Sequence, residues 1–159
     1  MAIYKLNLED FDQVDYSLIA IHSTFDDYRL AYKINQKLGI SLFKDEKDIA
    51  VNVEGINVFF SRFTYTDYEN ILVWDLIQNN QILELASKKR AIDLFDANSF
   101  TRKVHILSEL SKADYLLKIE IDSDIKINEI AKKINKIESV TTAYQVNTNE
   151  LKSKNNLIF

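Results

Sequence analysis

From Tyr16 to Ile21 apolar residues are nearly continuous, the pattern of a strand at the centre of a sheet with both faces covered. Ser23 and Thr24 then each precede an acid by three residues (Asp26, Asp27), a capping-box-like start for a helix. The spacing predicts that helix from Phe25 to Leu38, closed by Gly39, with Leu30, Ala31, Ile34 and Leu38 on its inner face. Asp26, Arg29, Lys33 and Lys37 decorate the other face, and Tyr28 and Tyr32, four apart, flank the stripe.

Before this unit, Tyr4, Leu6 and Leu8 alternate with polar residues as in a short edge strand. After it, Ile40 to Phe43 reads as a strand returning from the helix, Lys44 to Asp48 as a charged turn, and Ile49 to Val53 as another strand. Ile56 to Tyr65 and Asn70 to Gln78 form a predicted antiparallel hairpin with a four-residue loop. Pairing Tyr65 with Asn70 puts Phe59, Ser61, Phe63, Leu72, Trp74 and Leu76 on one face and makes Arg62 and Asp75 diagonal neighbours on the other. Asp75, an acid inside an apolar strand, is therefore expected to be a surface or rim partner for Arg62.

The stretch from Asn79 to Thr101 is read as a helix or a loop excursion, Val104 to Leu107 as a strand and Asp114 to Ile121 as a core strand. Ile127, Ile130, Ala131, Ile134 and Ile137 give the clearest helical stripe in the chain, with Asp124 placed to cap it. Val140 to Val146 is a β-branched strand. The domain is expected to span 1–146, with 147–159 a frayed polar tail whose Leu157-Ile158-Phe159 are able to dock on the chain or on a partner.

The two strand-helix units echo one another. Asp15-Tyr16 returns 99 positions on as Asp114-Tyr115, while Ile19, Ile21, Ser23, Ala31, Lys33, Ile34 and Asn35 each find an identical residue 100 positions on. Two pseudo-repeated βαβ units in one sheet, joined by right-handed crossovers, predict an α+β, ferredoxin-like split βαβ sandwich. The antiparallel hairpin is then an insertion between the halves, and both helices lie on one sheet face. The opposite face needs cover from residues 80–103, from the tail or from a second subunit, so a homodimer is expected.

Composition narrows the chemistry. Among 159 residues there is no cysteine and there are two histidines, which leaves no disulfide, no thiolate site and little for a metal centre, so no cofactor or metal is expected. A reducing cytoplasm is the expected setting. No apolar run approaches the roughly 18 to 20 residues that cross a bilayer, and no membrane partner is expected. The first 79 residues carry 13 acids and 7 bases, and the remainder 11 acids and 13 bases. That small basic excess, densest at Lys88-Lys89-Arg90, lacks stacking aromatics, so nucleic-acid binding is not expected.

The strongest polar constellation is His22 and Ser23 with Asp26, Asp27 and Arg29, where a central strand gives way to a helix, a place that suits ligands and anions. The second copy has Asp122-Ser123-Asp124 there, so capping accounts for the shared serine and acid, and His22 alone asks for another role. Asp114 and Tyr115 are further candidate contacts, with turn and core duty as the simpler role. No acid-base-nucleophile set is spelled out, and two glycines cannot form a phosphate loop.

The stretch Leu107-Ser108-Glu109-Leu110-Ser111-Lys112-Ala113-Asp114-Tyr115 resembles a loosened form of the motif that names the IPExxxVDY family of Bacteroidetes. Glu109, Asp114 and Tyr115 stand at the family spacing, while Leu107, Ser108 and Ala113 replace its Ile, Pro and Val. Ile19-Ala20-Ile21-His22-Ser23, Asp27-Tyr28-Arg29-Leu30-Ala31-Tyr32 and Trp74-Asp75-Leu76 are similar in kind and order. The resemblance implies a cytoplasmic protein of a family without an assigned activity, and brings no catalytic residues. A non-enzymatic interaction or regulatory protein is the expected function, acting on a protein partner or on itself through a sheet face or the aromatic hairpin. The alternative is an ACT-like domain sensing a small-molecule effector at a strand-helix loop or dimer interface. A small enzyme using His22 with Asp26 or Asp27 comes last.

Overall fold

The computed structural model describes residues 16–85, 100–120 and 126–159. It is an α+β fold built on a six-stranded antiparallel sheet with two helices. The strands in chain order are β1 (Tyr16–Ser23), β2 (Phe43–Lys44), β3 (Ile49–Val53), β4 (Ile56–Phe60), β5 (Arg62–Asp67), β6 (Leu72–Gln78), β7 (Asn80–Leu85), β8 (Phe100–His105), β9 (Tyr115–Glu120) and β10 (Val140–Val146), and the helices are α1 (Asp27–Leu38) and α2 (Ile127–Ile134). The main sheet runs β10-β1-β9-β6-β5-β2, while β3 pairs with β4 and β7 with β8. Since β1 and β6 are both antiparallel to β9, they run parallel to each other across it. By the same geometry β9 and β10 flank β1.

Period-two alternation divides the core in two. Ile19 and Ile21 of β1, Tyr115, Leu117 and Ile119 of β9, and Trp74 and Leu76 of β6 face the helices, meeting Leu30, Ala31 and Ile34 of α1 and Ile127, Ala131 and Ile134 of α2. Leu18, Leu116 and Ile77 face the other way. Their cover comes from the chain itself: Ile49, Val58 and Phe60 of the β3-β4 hairpin, Val104 of β8 with Ile106 and Leu107 just after it, and Leu151 and Leu157 of the C-terminal segment.

That cover corrects one expectation directly. Residues 147–159 do not fray; two short 3₁₀ turns (Thr148–Glu150 and Lys154–Leu157) carry Leu151 and Leu157 into the second core, where Leu157 is fully buried. The reason is the open apolar face that waits for them. It also removes the ground on which a dimer was expected, since the described residues cover this face from within one chain.

Other boundaries moved for local reasons. The helix α1 ends as expected, with Gly39 at φ 69° donating its N–H to the Asn35 carbonyl. Its start is not a capping box: Asp26 sits at the cap without a side-chain bond, and the Ser23 hydroxyl accepts from Phe25 N–H instead. Asp124 and Ile121 lie outside the described residues, as do Tyr4 to Leu8, Asp15 and the basic cluster at 88–90. The predicted strand Ile56 to Tyr65 breaks at Ser61 into β4 and β5, which belong to different sheets, because Phe60 buries in the second core and Phe63 in the first.

The β5-β6 hairpin pairs Tyr65 with Trp74 rather than with Asn70. Asp67 holds the turn by accepting the N–H groups of Glu69 and Asn70, and so pushes the loop two residues on. The even shift keeps Phe63, Leu72, Trp74 and Leu76 on their predicted face and Arg62 and Asp75 diagonal neighbours, but Phe59, expected on that face, lies in β4 of the separate β3-β4 hairpin and is exposed. Asn79 to Thr101, read as helix or loop, instead contributes strands β7 and β8, whose pairing across a long separation leaves no local signature.

Side-chain amides brace the strand ends. Asn35 donates to the Leu42 carbonyl (2.9 Å) and accepts its N–H (2.8 Å); Asn135 does the same for Ala143 (2.6 and 2.7 Å). Asn135 thereby occupies both polar groups of Ala143 in the middle of edge strand β10, which shields that edge from another chain. Asn79, fully buried, donates to the Leu110 and Ala113 carbonyls and accepts the Leu107 N–H, holding the whole connection from β8 to β9.

Because Leu157 is docked, Leu157→Ala is expected to lower the unfolding free energy by about 3 kcal/mol. Urea denaturation measures it; a change under about 0.5 kcal/mol, as at a surface position, contradicts the docked tail.

Candidate functional site

Three of the seven sequence-predicted residues meet where β1 ends, and a fourth, Asp27, accepts the Tyr28 N–H (2.7 Å) in the first turn of α1. The Ser23 N–H donates to Asp114 Oδ2 (3.0 Å), and the Ser23 hydroxyl donates to the Ser139 carbonyl (3.0 Å) while accepting the Phe25 N–H (3.2 Å). The Tyr115 hydroxyl donates to the Phe25 carbonyl (2.7 Å). Burial, then the charges of Asp27, Asp26 and Asp114, push the Tyr115 phenol far above its usual range, so it stays a donor through the neutral range. The Ser23 hydroxyl proton is committed to the Ser139 carbonyl, and among the described residues no carboxylate or imidazole hydrogen-bonds to that hydroxyl. Chemically this is a brace that ties β1, the start of α1 and β9 together.

The other three are spread around it. His22 stacks on Tyr144 of β10 with ring centroids 5.8 Å apart, and its Nε2 lies 3.5 Å from the Tyr144 hydroxyl. Among the described residues no hydrogen bond joins it to Asp26 or Asp27. Asp26 is exposed at the α1 cap, and the Arg29 guanidinium lies 5.9 Å from the centroid of the Tyr28 ring.

A second constellation, on the opposite sheet face, contains the expected Arg62–Asp75 pair, but Asp75 is buried rather than at a surface or rim, and its neighbours Lys118, Tyr16 and Phe159 escaped the sequence reading. Asp75 is 1% exposed and accepts from Arg62 Nε (2.8 Å), which also lies 3.3 Å from Asp45. Directly across on β9 is Lys118, 2% exposed, which donates to Glu120 (2.6 Å) and to the Leu157 carbonyl (2.8 Å). The Phe159 ring lies between the two cations, 4.4 Å from each, and Lys118 also sits 5.3 Å from the Tyr16 ring. Desolvation raises the Tyr16 phenol, so the cluster contains two cations, three acids and a neutral phenol. Among the described residues Asp75 Oδ2 has no hydrogen-bond partner. The available signal was a charge inside each of two apolar strands; that they are neighbours required the β6-β9 pairing.

Glu109 supplies the third polar device. One of its oxygens accepts the N–H groups of Lys152 (2.6 Å) and Ser153 (2.8 Å), and the other accepts the Ser153 hydroxyl. That hydroxyl bond first, with the backbone donors, holds the Glu109 carboxyl at about 2. Glu109, Asp114 and Tyr115, which carry the resemblance in sequence, are thus all structural ties.

Concavities open on the helix layer among the described residues, and two of them lie along α1 and beyond the helix ends. One, of about 620 Å³, runs along α1 between Phe25, Tyr28, Arg29, Tyr32 and Lys33, with Tyr28 56% and Tyr32 58% exposed. The other, of about 510 Å³, lies where the helices end over β5 and β6, lined by Ile40, Tyr65, Asp67, Trp74, Ile130 and Lys133 among others. Its origin is geometric: two helices side by side span roughly 20 Å, about four strand spacings, so a six-stranded sheet outruns its cover. Among the described residues no group of three or more potential metal ligands occurs, and no helix is long and apolar enough to cross a membrane.

Comparison with protein-family models, with curated proteins and with solved structures finds no match for this chain.

Two outcomes test the polar devices. Arg62→Met is expected to cost about 3 kcal/mol by leaving Asp75 buried without its counter-charge, and Arg62→Met with Asp75→Leu to recover most of the loss in a double-mutant cycle. The Glu109 carboxyl titrates lower folded than unfolded, so its contribution is complete above pH 4.5 and is lost as pH falls toward 2. Glu109→Gln should flatten the acid limb of stability against pH within that window; an unchanged limb contradicts the tie.

Proposed function

We propose that this protein is a non-enzymatic interaction module that docks an acidic segment of a protein partner on the outer face of α1. The observation that carries this is the pair Tyr28 and Tyr32, each more than half exposed on one helix face with Arg29 and Lys33 beside them in the same concavity. Paired aromatic rings beside cations make a hot-spot-like anchor. Charge selects the partner: the two helices with their flanks (26–39 and 126–138) carry seven bases against four acids, on a chain of net charge -4. The sheet faces, the surface expected from the sequence, are largely covered by the chain's own segments. A second copy is the weaker partner for the same reason.

The scaffold fits the ferredoxin-like split βαβ plan, with the remaining strands as insertions, because β1-α1-β6 and β9-α2-β10 interleave in one sheet. Duplication of a βαβ unit is supported by Asn35 and Asn135, a hundred positions apart, which perform the same bidentate brace. Membership of the IPExxxVDY family and a cytoplasmic setting remain part of this proposal, resting on the motif and on the absence of cysteine.

A second reading, an ACT-like domain sensing a metabolite at a strand-helix loop, is favoured by one observation, the cleft beside Trp74. The use of His22 as a catalytic base is disfavoured by its stacking on Tyr144.

Selection from a random peptide library on the immobilised protein is expected to enrich acidic sequences with an apolar anchor. The Tyr28→Ala/Tyr32→Ala variant should lose that enrichment, and Lys33→Glu should reduce it. Enrichment without acidic bias, or untouched by the tyrosine pair, overturns the docking proposal.

A further inference from the structure

Lys33 lines a second hollow besides the one beside Tyr28 and Tyr32. A groove of about 300 Å³ opens between α1 and the end of α2, walled by Lys33, Gln36 and Lys37 on one side and by Lys136, Ile137 and Glu138 on the other. The tyrosine concavity shares Lys33 with it. Gln36 Nε2 donates to the Tyr32 hydroxyl (3.0 Å), a bond between one side chain of the groove and one of the concavity. The two hollows therefore form one track along α1. Helical spacing produces it: Tyr28, Tyr32 and Gln36 follow at four-residue intervals, as do Arg29, Lys33 and Lys37, so an aromatic row runs beside a basic one.

Charge decides what the groove takes. Lys33, Lys37 and Lys136 are exposed and form no salt bridge among the described residues. Glu138 is the one acid of the lining. Both helices end beside the groove, and a helix end of this polarity carries roughly half a negative charge. Three ammonium groups against one carboxylate and two such ends leave an excess of about one positive charge. That suits a single carboxylate and is too little for a polyanion. Length sets the spacing. Positions 28 and 32 centre on 30, and positions 33 and 37 on 35, which is about 7.5 Å along the helix at about 1.5 Å per residue. An extended chain covers that in about two or three residues.

We propose, resting on the α1 docking reading above, that the partner segment is a short extended motif: an apolar side chain seated between Tyr28 and Tyr32 and, about two or three residues along, one aspartate or glutamate seated on Lys33, Lys37 and Lys136. Phosphate-rich ligands, nucleic acid included, carry more charge than the groove balances.

The full chain, labelled with nitrogen-15, is titrated with glycine-serine peptides that hold one phenylalanine and one glutamate, the glutamate stepped outward one position at a time on either side, and with matched glutamine peptides. Amide chemical shifts give the site and the Kd. Saturable shifts along α1 are expected, with the lowest Kd when the glutamate stands about two or three positions from the phenylalanine, about threefold below the matched glutamine peptide. Lys37→Met/Lys136→Met, two exposed changes, should bring the glutamate peptide to the glutamine value and leave the glutamine peptide unaltered. Tyr28→Ala/Tyr32→Ala should weaken both. A Kd indifferent to the glutamate position or to the lysine pair, while the tyrosine pair still matters, overturns this motif and keeps docking on α1. Binding that ignores the tyrosine pair, or no shift with any peptide, overturns both. Phosphoserine binding at least tenfold tighter than glutamate at the same position, or an oligothymidylate displacing the peptide from the same amides, overturns the single carboxylate as the ligand.

Discussion

A six-stranded sheet presents two apolar faces, and helices of twelve and eight residues cover only part of one of them. Most of the remaining architecture answers that shortage. The β3-β4 hairpin, the turn after β8 and the segment from Leu151 to Leu157 are drawn onto the second face, because each apolar side chain removed from water there contributes on the order of 2 kcal/mol. On the first face the helices stop short of β5, and the cleft beside Trp74 is the uncovered remainder. Cover on one side and vacancy on the other have the same cause.

Closing the second face brings a charged cluster under an apolar lid. Burying Asp75 and Lys118 costs desolvation that no single pair recovers. The structure distributes compensation: Arg62 and Asp45 around Asp75, Glu120 and the Leu157 carbonyl on Lys118, and the Phe159 ring against both cations. The tail is therefore bound by polar and apolar terms together, with Glu109 fixing its entry at Lys152 and Ser153. The cluster makes the placement of 151–159 specific where hydrophobic burial alone is indifferent to register.

The polar residues that stand out in the linear chain turn out to be structural for a common reason. Strand ends and helix starts leave backbone groups without partners. Ser23, Asp114, Tyr115, Asn79, Asn35 and Asn135 each satisfy such groups. A short polar side chain beside an apolar strand is conspicuous whether it braces backbone or binds a ligand, and only the partner distinguishes the two. The surface left for function is the one whose groups have no such duty, Tyr28 and Tyr32 outside α1.

By itself the sequence determined what depends on neighbours a few positions away. Period and composition placed β1, α1, β6, β9, α2 and β10, sorted the faces of the β5-β6 hairpin despite a two-residue error in its turn, and paired Arg62 with Asp75. Tertiary structure decided what depends on distant segments. The pairing of β7 with β8, the departure of β4 at Ser61, the docking of Leu157 and the meeting of Lys118 with Asp75 join residues whose local patterns are silent about one another. A strand's own residues specify which side chains face a core, but which segment arrives to cover that core is settled by the competition of all apolar surfaces for the same open face.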